Sequence, residues 1–441
     1  VRIAGSSTQI HVTVKILSVT NATVFVGSNY HLPNDTAVNP ARQGFDLTGV
    51  DFLYVTMTET GGQARVWRAL RASAALGGMV GFSDFAISTG NLNIQLNTPA
   101  ADQSVIQSAN AEYGAGNLQI IFGQESRVLT GTATLNIAGA LQLHGGFAFS
   151  QSTTPKTITV SKNTTHTSTE VRLTAFGFQN VSAFFGDGPY FRDSNNDGTI
   201  TDDDTPNPNA AGLLISDGSL AVACFTPTAT TNPARYYAVR ATLSELSMPG
   251  LINLSSDSSF NLQAGGYRVE LNRGNTAADG GAVNFARSYE TTPNARDGAL
   301  QVTTSPTSFV TFNYTSALER VAIEHAMLRI SDYVHVSGGF SVTRQQMSVT
   351  LNNSLHSTVA VNTMVFGAGN VNLFVGSGPY FEDTNSDGII DNTDTLNPDA
   401  VGLAIENANF ALMLMSRATG GGTGPKYKAL KATASRIGLV G

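Results

Sequence analysis

The chain has 441 residues, a formal net charge of −7, 41% hydrophobic and 13% charged residues, 44 glycines and a single cysteine. The apolar share supplies a sizeable core and excludes disorder, which couples low hydrophobicity to high net charge. No apolar run reaches the ~18 residues of a membrane-crossing helix, and the acidic balance lacks the basic stripe that nucleic-acid binding needs.

In chain order, the first landmarks are Val24-Phe25-Val26-Gly27-Ser28-Asn29-Tyr30, Asn39-Pro40 and Arg68-Ala69-Leu70-Arg71-Ala72. They return as Phe184-Phe185-Gly186-Asp187-Gly188-Pro189-Tyr190-Phe191, Asn207-Pro208 and Tyr237-Ala238-Val239-Arg240-Ala241. A third copy reads Phe374-Val375-Gly376-Ser377-Gly378-Pro379-Tyr380-Phe381, Asn397-Pro398 and Lys428-Ala429-Leu430-Lys431-Ala432. Between copies, Leu141-Gln142-Leu143-His144-Gly145-Gly146-Phe147 matches Val334-His335-Val336-Ser337-Gly338-Gly339-Phe340. The second and third copies lie 190 residues apart, one residue more at the last landmark, and such recurrence defines a long internal repeat. The chain divides into a partial first copy over 1–159, a second over 160–349 and a partial third over 350–441. Val1 and Gly441 both fall inside a repeat, which predicts a segment of a longer polypeptide.

Inside the long repeat is a shorter one, made of an alternating apolar stretch, a corner ending in Asn, Asp or Gly, and a second alternating stretch. Leu173 to Gly186, Leu213 to Phe225, Met364 to Gly376 and Leu403 to Met415 follow it, and corners recur near 21, 51, 91, 117, 140, 180, 219, 266, 299, 332, 370 and 409. Period-two alternation with Val, Phe and Thr between Gly/Asn/Asp corners reads as short strands. Ser316 to Met327 is the one stretch that tempts as a helix, and its alignment with Gly131 to Leu135 makes it strand. The expected fold is all-β, an elongated repeat array stacked like a β-solenoid, with tandem β-sandwiches as the alternative.

Two acidic loops carry the chemistry. Asp193-Ser194-Asn195-Asn196-Asp197-Gly198-Thr199-Ile200-Thr201-Asp202-Asp203-Asp204 and Asp383-Thr384-Asn385-Ser386-Asp387-Gly388-Ile389-Ile390-Asp391-Asn392-Thr393-Asp394 share the pattern D-x-N-x-D-G-x-I-x-x-x-D. Oxygens at positions 1, 3 and 5 (Asp193, Asn195, Asp197; Asp383, Asn385, Asp387) converge on one point, and glycine at position 6 permits the sharp turn. The carbonyl at position 7 (Thr199, Ile389), a ligand or water at position 9 (Thr201, Asp391) and a carboxylate at position 12 (Asp204, Asp394) complete a calcium shell. Aspartate at position 12 reaches the ion less easily than glutamate, which predicts modest affinity. Flanking prolines exclude the helices of an EF-hand. The loops resemble the helix-poor calcium loops of dockerins and thrombospondin type 3 repeats. The first copy lacks the insertion, so the ion would serve a surface excursion and not the core.

Other candidates are weaker. Cys224 lies in an apolar run and reads as an inert thiol, and the seven histidines show no metal-ligand spacing. Asp51 and Asp187 are isolated carboxylates, and Ser28 and Ser377 replace the latter in its copies. Trp67, Tyr236 and Tyr427 occupy equivalent positions and read as packing residues before sugar platforms. Asn180, although it lies in a glycosylation sequon, is matched at a corner by Asn370 and reads as structural.

Across nearly its whole length the pattern resembles the long β repeats of giant secreted bacterial surface proteins. The residues that carry this are the G-P-Y-F-x-D-x-N-x-D-G-x-I runs, Asn397-Pro398-Asp399-Ala400-Val401-Gly402-Leu403 and Lys428 to Ala434. The resemblance implies an extracellular or cell-surface, calcium-bearing structural or adhesive array without catalysis. Its partners would be further copies, neighbouring repeats or surface polysaccharide. The alternative is a carbohydrate-binding or polysaccharide-processing β-helix.

Overall fold

The computed structural model describes residues 1–4, 9–31, 37–80, 85–107, 114–115, 118–121, 126–137, 141–152, 155–162, 165–192, 194, 204–229, 234–247, 260–275, 281–289, 298–305, 307–330, 333–382, 384–385, 394–417 and 425–441. Long strands dominate: β1 (Val12–Ser28), β2 (Gln43–Glu59), β3 (Val66–Val80), β4 (Phe85–Thr98), β5 (Ser126–Ile137), β6 (Leu141–Gln151), β7 (Thr165–Asp187) and β8 (Ala211–Pro227). They continue as β9 (Tyr236–Ser247), β10 (Phe260–Gly274), β11 (Leu318–Ile330), β12 (Val334–Thr350), β13 (Thr358–Ser377), β14 (Val401–Arg417), β15 (Lys426–Thr433) and β16 (Arg436–Val440).

Each strand pairs antiparallel with the next, from β1–β2 through β13–β14, in one continuous meander. At the far end β15 and β16 share the edge of β14, one along each half. The sheet is open, with β1 and the β15/β16 pair at its edges. The all-β continuous array expected from the alternation is what the chain forms, and its stacked unit is an antiparallel strand. The sheet passes without a break through residues 159–160 and 349–350, where the repeat copies meet. The six strands β1–β6 correspond to β7–β12, so the repeat period is six strands.

Most of the expected corners lie in mid-strand. Asn21, Asn91, Asn180 and Asn370 have φ of 50°, 51°, 51° and 52°, and Gly266 has 66°. The corners expected near 51, 219 and 409 fall two residues after Gly49, Asp217 and Asn407, whose φ values are 60°, 51° and 49°. Those at 117, 140 and 332 lie outside the described residues, and 299 precedes the strand Leu300–Thr303. Only Gly, Asn and Asp adopt this left-handed conformation cheaply. At these points other than Gly266 the pairing register with a neighbouring strand shifts, as between Phe178 and Val181 in β7, which marks β-bulges.

A bulge adds one residue and so exchanges the side on which the alternation falls. In β7 the buried positions are Val171, Ala175 and Gly177 before Asn180, then Ser182, Ala183 and Phe184 after it. In β13 they are Val361 and Thr363 before Asn370, then Asn372 and Phe374 after it. Odd positions give way to even ones, with Ala183 as the exception, so burial resumes on the same face beyond the bulge.

In the first two copies that face is covered by excursions of the chain itself. In the first copy Ala100, Ile106 and Ile120 close over Leu53, Val55, Met57 and Trp67. The Trp67 indole N–H donates to the Ser104 carbonyl at 3.0 Å. In the second copy Val283, Phe285, Val302, Phe312 and Tyr314 cover Val171, Ala175, Phe225 and Ala238. Phe285 sits in a feature the sequence did not announce, the one-turn helix Phe285–Ser288, whose N-cap Asn284 accepts the Arg287 N–H at 3.2 Å. A buried ion cluster ties this cover down. Glu270 lies between Arg240 and Arg320, and the Arg240 guanidinium also donates to the Thr311 carbonyl at 2.8 Å. Trp67 and Tyr236 are buried and Tyr427 half-buried, as packing residues would be. Cys224 is half-buried, and burial raises its thiol pKa, which suits an inert role.

The accessible surface is 23816 Å², about one and a half times the ~16,000 Å² that a compact globule of this mass would expose. An open sheet covered on one face accounts for the difference.

The left-handed bulge residues set this geometry, which gives a direct test. Asn180→Gly should be near neutral, whereas Asn180→Val forces a β-branched residue to positive φ and should cost about 1–2 kcal/mol. Urea unfolding of the two variants, compared at equal slope, measures the difference.

Candidate functional site

Both acidic loops grow from the same platform. Gly186 faces Gly212 across the β7–β8 pair, and the Phe184 ring lies over both glycines. A Cβ at Gly186 would stand 2.2 Å from the Ala211 carbonyl oxygen and 2.9 Å from the Phe184 ring. The arrangement recurs with Gly376, Gly402 and Phe374, and with Gly27, Gly44 and Phe25. A tyrosine stacks on each phenylalanine. The centroid distances are 5.3 Å for Phe184–Tyr190, 5.2 Å for Phe374–Tyr380 and 4.9 Å for Phe25–Tyr30.

From this stack the chain leaves and returns through a short stem. Phe191 pairs with Pro206 and Arg192 with Thr205; in the third copy Phe381 pairs with Leu396 and Glu382 with Thr395. The Asn of each Asn-Pro landmark closes the excursion. The Asn207 backbone N–H donates to the Tyr190 carbonyl at 2.6 Å and its side-chain amide donates to the Pro189 carbonyl at 2.8 Å. Asn397 makes the same two bonds to Tyr380 and Pro379, both at 2.9 Å. Asn39 bonds the Tyr30 carbonyl at 2.8 Å, so the closure survives where the acidic insertion is missing. Gln142, reaching over from β6, accepts the Tyr190 and Phe191 N–H groups at 2.8 and 3.0 Å. His335 takes the corresponding place and meets the Phe381 ring edge-on at 6.4 Å.

Of the expected ligands, Asp193, Asn195, Asp197, Thr199 and Thr201 of the first loop lie outside the described residues, as do Asp383, Asp387, Ile389 and Asp391 of the second. Asp204, Asn385 and Asp394 are described. Asp204 and Asp394 are buried at the loop mouths, at 4% and 8% exposure, and Asn385 is exposed. An Asp204 oxygen accepts the Ser194 N–H at 3.0 Å, and an Asp394 oxygen accepts the Thr384 N–H at 3.1 Å. The hydroxyls of Ser194 and Thr384 in turn accept the N–H groups of Thr205 and Thr395, at 3.1 and 3.2 Å. Position 2 thus clamps position 12 and the stem together. Sequence reasoning passed over Ser194 and Thr384, although a hydroxyl at position 2 of both loops was the available signal. Among the described residues, no three His, Cys, Asp or Glu side chains group as a metal site. Asp51 has a structural task, since it accepts the N–H of the bulge residue Asn21 at 2.9 Å.

Searches against protein-family models, curated proteins and solved structures each find no match. Among the described residues no helix is long and apolar enough to cross a membrane.

Two expectations test the platform. Asp204→Ala takes the acceptor from the part-buried Ser194 N–H bond and should loosen the stem by about 1 kcal/mol. Hydrogen exchange at Arg192 and Thr205 should accelerate while β7 and β8 keep their protection. The second concerns pH. Burial, and then the hydrogen bond from the phenol to Glu406, push the Tyr380 pKa up to about 12. The neutral phenol is therefore favoured in the folded state. Its contribution is complete below the ordinary tyrosine value of about 10 and is lost as pH rises through about 12. Stability followed from pH 9 to 12 should fall across that window, and Tyr380→Phe should flatten this part of the fall.

Proposed function

We propose that the chain is a non-enzymatic structural or adhesive repeat segment of an extracellular bacterial surface filament, sheath or layer, with lateral loops rigidified by calcium. The observation that carries the reading is the rebuilding of one platform in every copy. Gly–Gly pair, Phe, Tyr and closing Asn recur three times, and the acidic insertion stands on two of them. Such regularity suits an array whose copies do the same mechanical task, whereas an enzyme needs one site with distinct acid, base and nucleophile roles.

The donor set at the loops fits calcium. Asp193, Asn195, Asp197 and Asp204 would supply side-chain oxygens, Thr199 its carbonyl and Thr201 a direct or water-bridged oxygen. Asp383, Asn385, Asp387, Ile389, Asp391 and Asp394 would do so in the second loop. Hard oxygen donors without thiol or imidazole match Ca²⁺ and not Zn²⁺. Bound calcium would neutralise the clustered carboxylates and hold a long polar excursion in one shape. The buried aspartates at the mouths, already clamped to the loop backbone, favour this reading because they start the shell from a fixed point.

Calorimetric titration should give calcium binding at two sites, and Asp197→Ala and Asp387→Ala should each remove one while the strand signature in circular dichroism stays unchanged. Saturation to about a hundred times the dissociation constant should stabilise the chain by about 2.7 kcal/mol, and chelation should reverse it. Absence of both heat and melting shift at millimolar calcium would remove the metal from the reading.

A further inference from the structure

One face of the sheet is covered by the chain's own excursions, and the opposite face carries an uncovered apolar row. Phe178 on β7 stands across from Leu220, and the cross-strand register carries the row through Val269, Val321 and Val342 to Leu430 on β15. Phe178 is 39% exposed, Val269 43%, Val321 52%, Val342 43% and Leu430 66%. The residues bridging these in register are Ala241, Phe366 and Leu412, so the row holds no charge from end to end. The flanking row through Leu243, Tyr267, Ile323, Phe340 and Phe410 is apolar as well, whereas the row on the Phe176 side passes from Leu271 to the charged Glu319, Arg344 and Lys428.

Strand spacing makes the row about 38 Å long, and the two apolar rows together are about 14 Å wide, a patch of about 500 Å² inside a face of about 750 Å² that includes the charged flank as its rim. Monomeric soluble proteins seldom leave so large a contiguous apolar surface bare. The whole face, apolar centre and charged rim together, is close to the ~800 Å² that each partner contributes to a stable protein interface.

We propose that this face is where a second copy of the chain packs, sheet against sheet. The inference rests on the reading of the protein as an assembling structural element and names the surface that joins the copies. Three observations select a second copy as occupant. The area is what a stable dimer requires. The central row carries no charge, so its two copies meet without repulsion, and the charges of the face are confined to the Phe176-side rim, where Arg344 pairs with Glu319. The row is regular, with side chains at the spacing of the strands themselves, so a second such row can interdigitate with it as the inner faces of an aligned β-sandwich do, about 10 Å apart.

Sedimentation velocity of the full chain over a range of concentrations tests this. The wild-type chain should associate, and the double variant Val269→Lys/Val321→Lys should weaken association by about a hundredfold or more, because each lysine would be buried without a partner. Both positions are exposed, so circular dichroism should be unchanged. The milder pair Val269→Thr/Val321→Thr should fall between the two. Association that persists unchanged in the lysine variant would overturn this face as the contact while leaving the assembly reading intact, with the open edge of β1 as the remaining route. A wild-type chain that stays monomeric at about 100 µM would overturn both. A monomer that instead floats with neutral phosphatidylcholine vesicles, and loses this in the lysine variant, would overturn the second copy in favour of a lipid surface.

Discussion

Everything in this sheet depends on a single backbone device, the left-handed residue that interrupts the long strands. A strand of 17 to 23 residues with strict alternation would run as one flat ribbon. Placing Asn180 or Asn370 at positive φ inserts one residue and moves the buried set from odd to even positions. Neighbouring strands carry their own bulge at the same level, as Asn180 and Asp217 do, so the shifts match and the ladder resumes. The excursions that form the core can then all close on one face, because that face is continuous through the bend. Without the device, Phe184 would point away from the glycine pair and aromatic stack that it caps.

Much of this was legible in the residues themselves. Alternation gave the strands, and Asn and Gly marked the bends to within two positions at most of the described sites. What alternation could not reveal was that these residues sit inside strands and not between them. A left-handed Asn satisfies a hairpin turn and a bulge equally well, and only the pairing partner distinguishes the two. Stacking direction was hidden for the same reason, since coils and antiparallel strands leave the same period-two imprint. The one-turn helix at Phe285 escaped notice because four residues hold too little periodicity to register.

At the acidic loops the legible and illegible parts divide differently. The twelve-residue pattern lets a cation be proposed from residue types alone. The Phe-x-Gly and Gly-Pro-Tyr-Phe landmarks looked like mere repeat markers, yet they build the stand on which the loop is mounted. Phe184 fills the space two glycines leave, Tyr190 stacks upon it, and Asn207 ties off the return. The first copy keeps Phe25, Tyr30 and Asn39 without the acidic insertion. The stand is therefore a complete unit, and the loop is a graft upon it that costs the sheet nothing when absent.

The six-strand period has a metrical consequence. Corresponding strands in successive copies are separated by six ladder steps of about 4.8 Å, so equivalent platforms recur every ~29 Å along the hydrogen-bonding direction. Each further copy would lengthen the array by that fixed increment and add one mounting point without disturbing those already built. Length and valency then become the same quantity, counted in repeats. Weak attachments held at a constant pitch on a stiff support can engage a surface of matching spacing together, and their combined hold far exceeds that of any one. Under the proposed adhesive role, duplication or loss of a repeat in the gene would retune reach and grip in a single step.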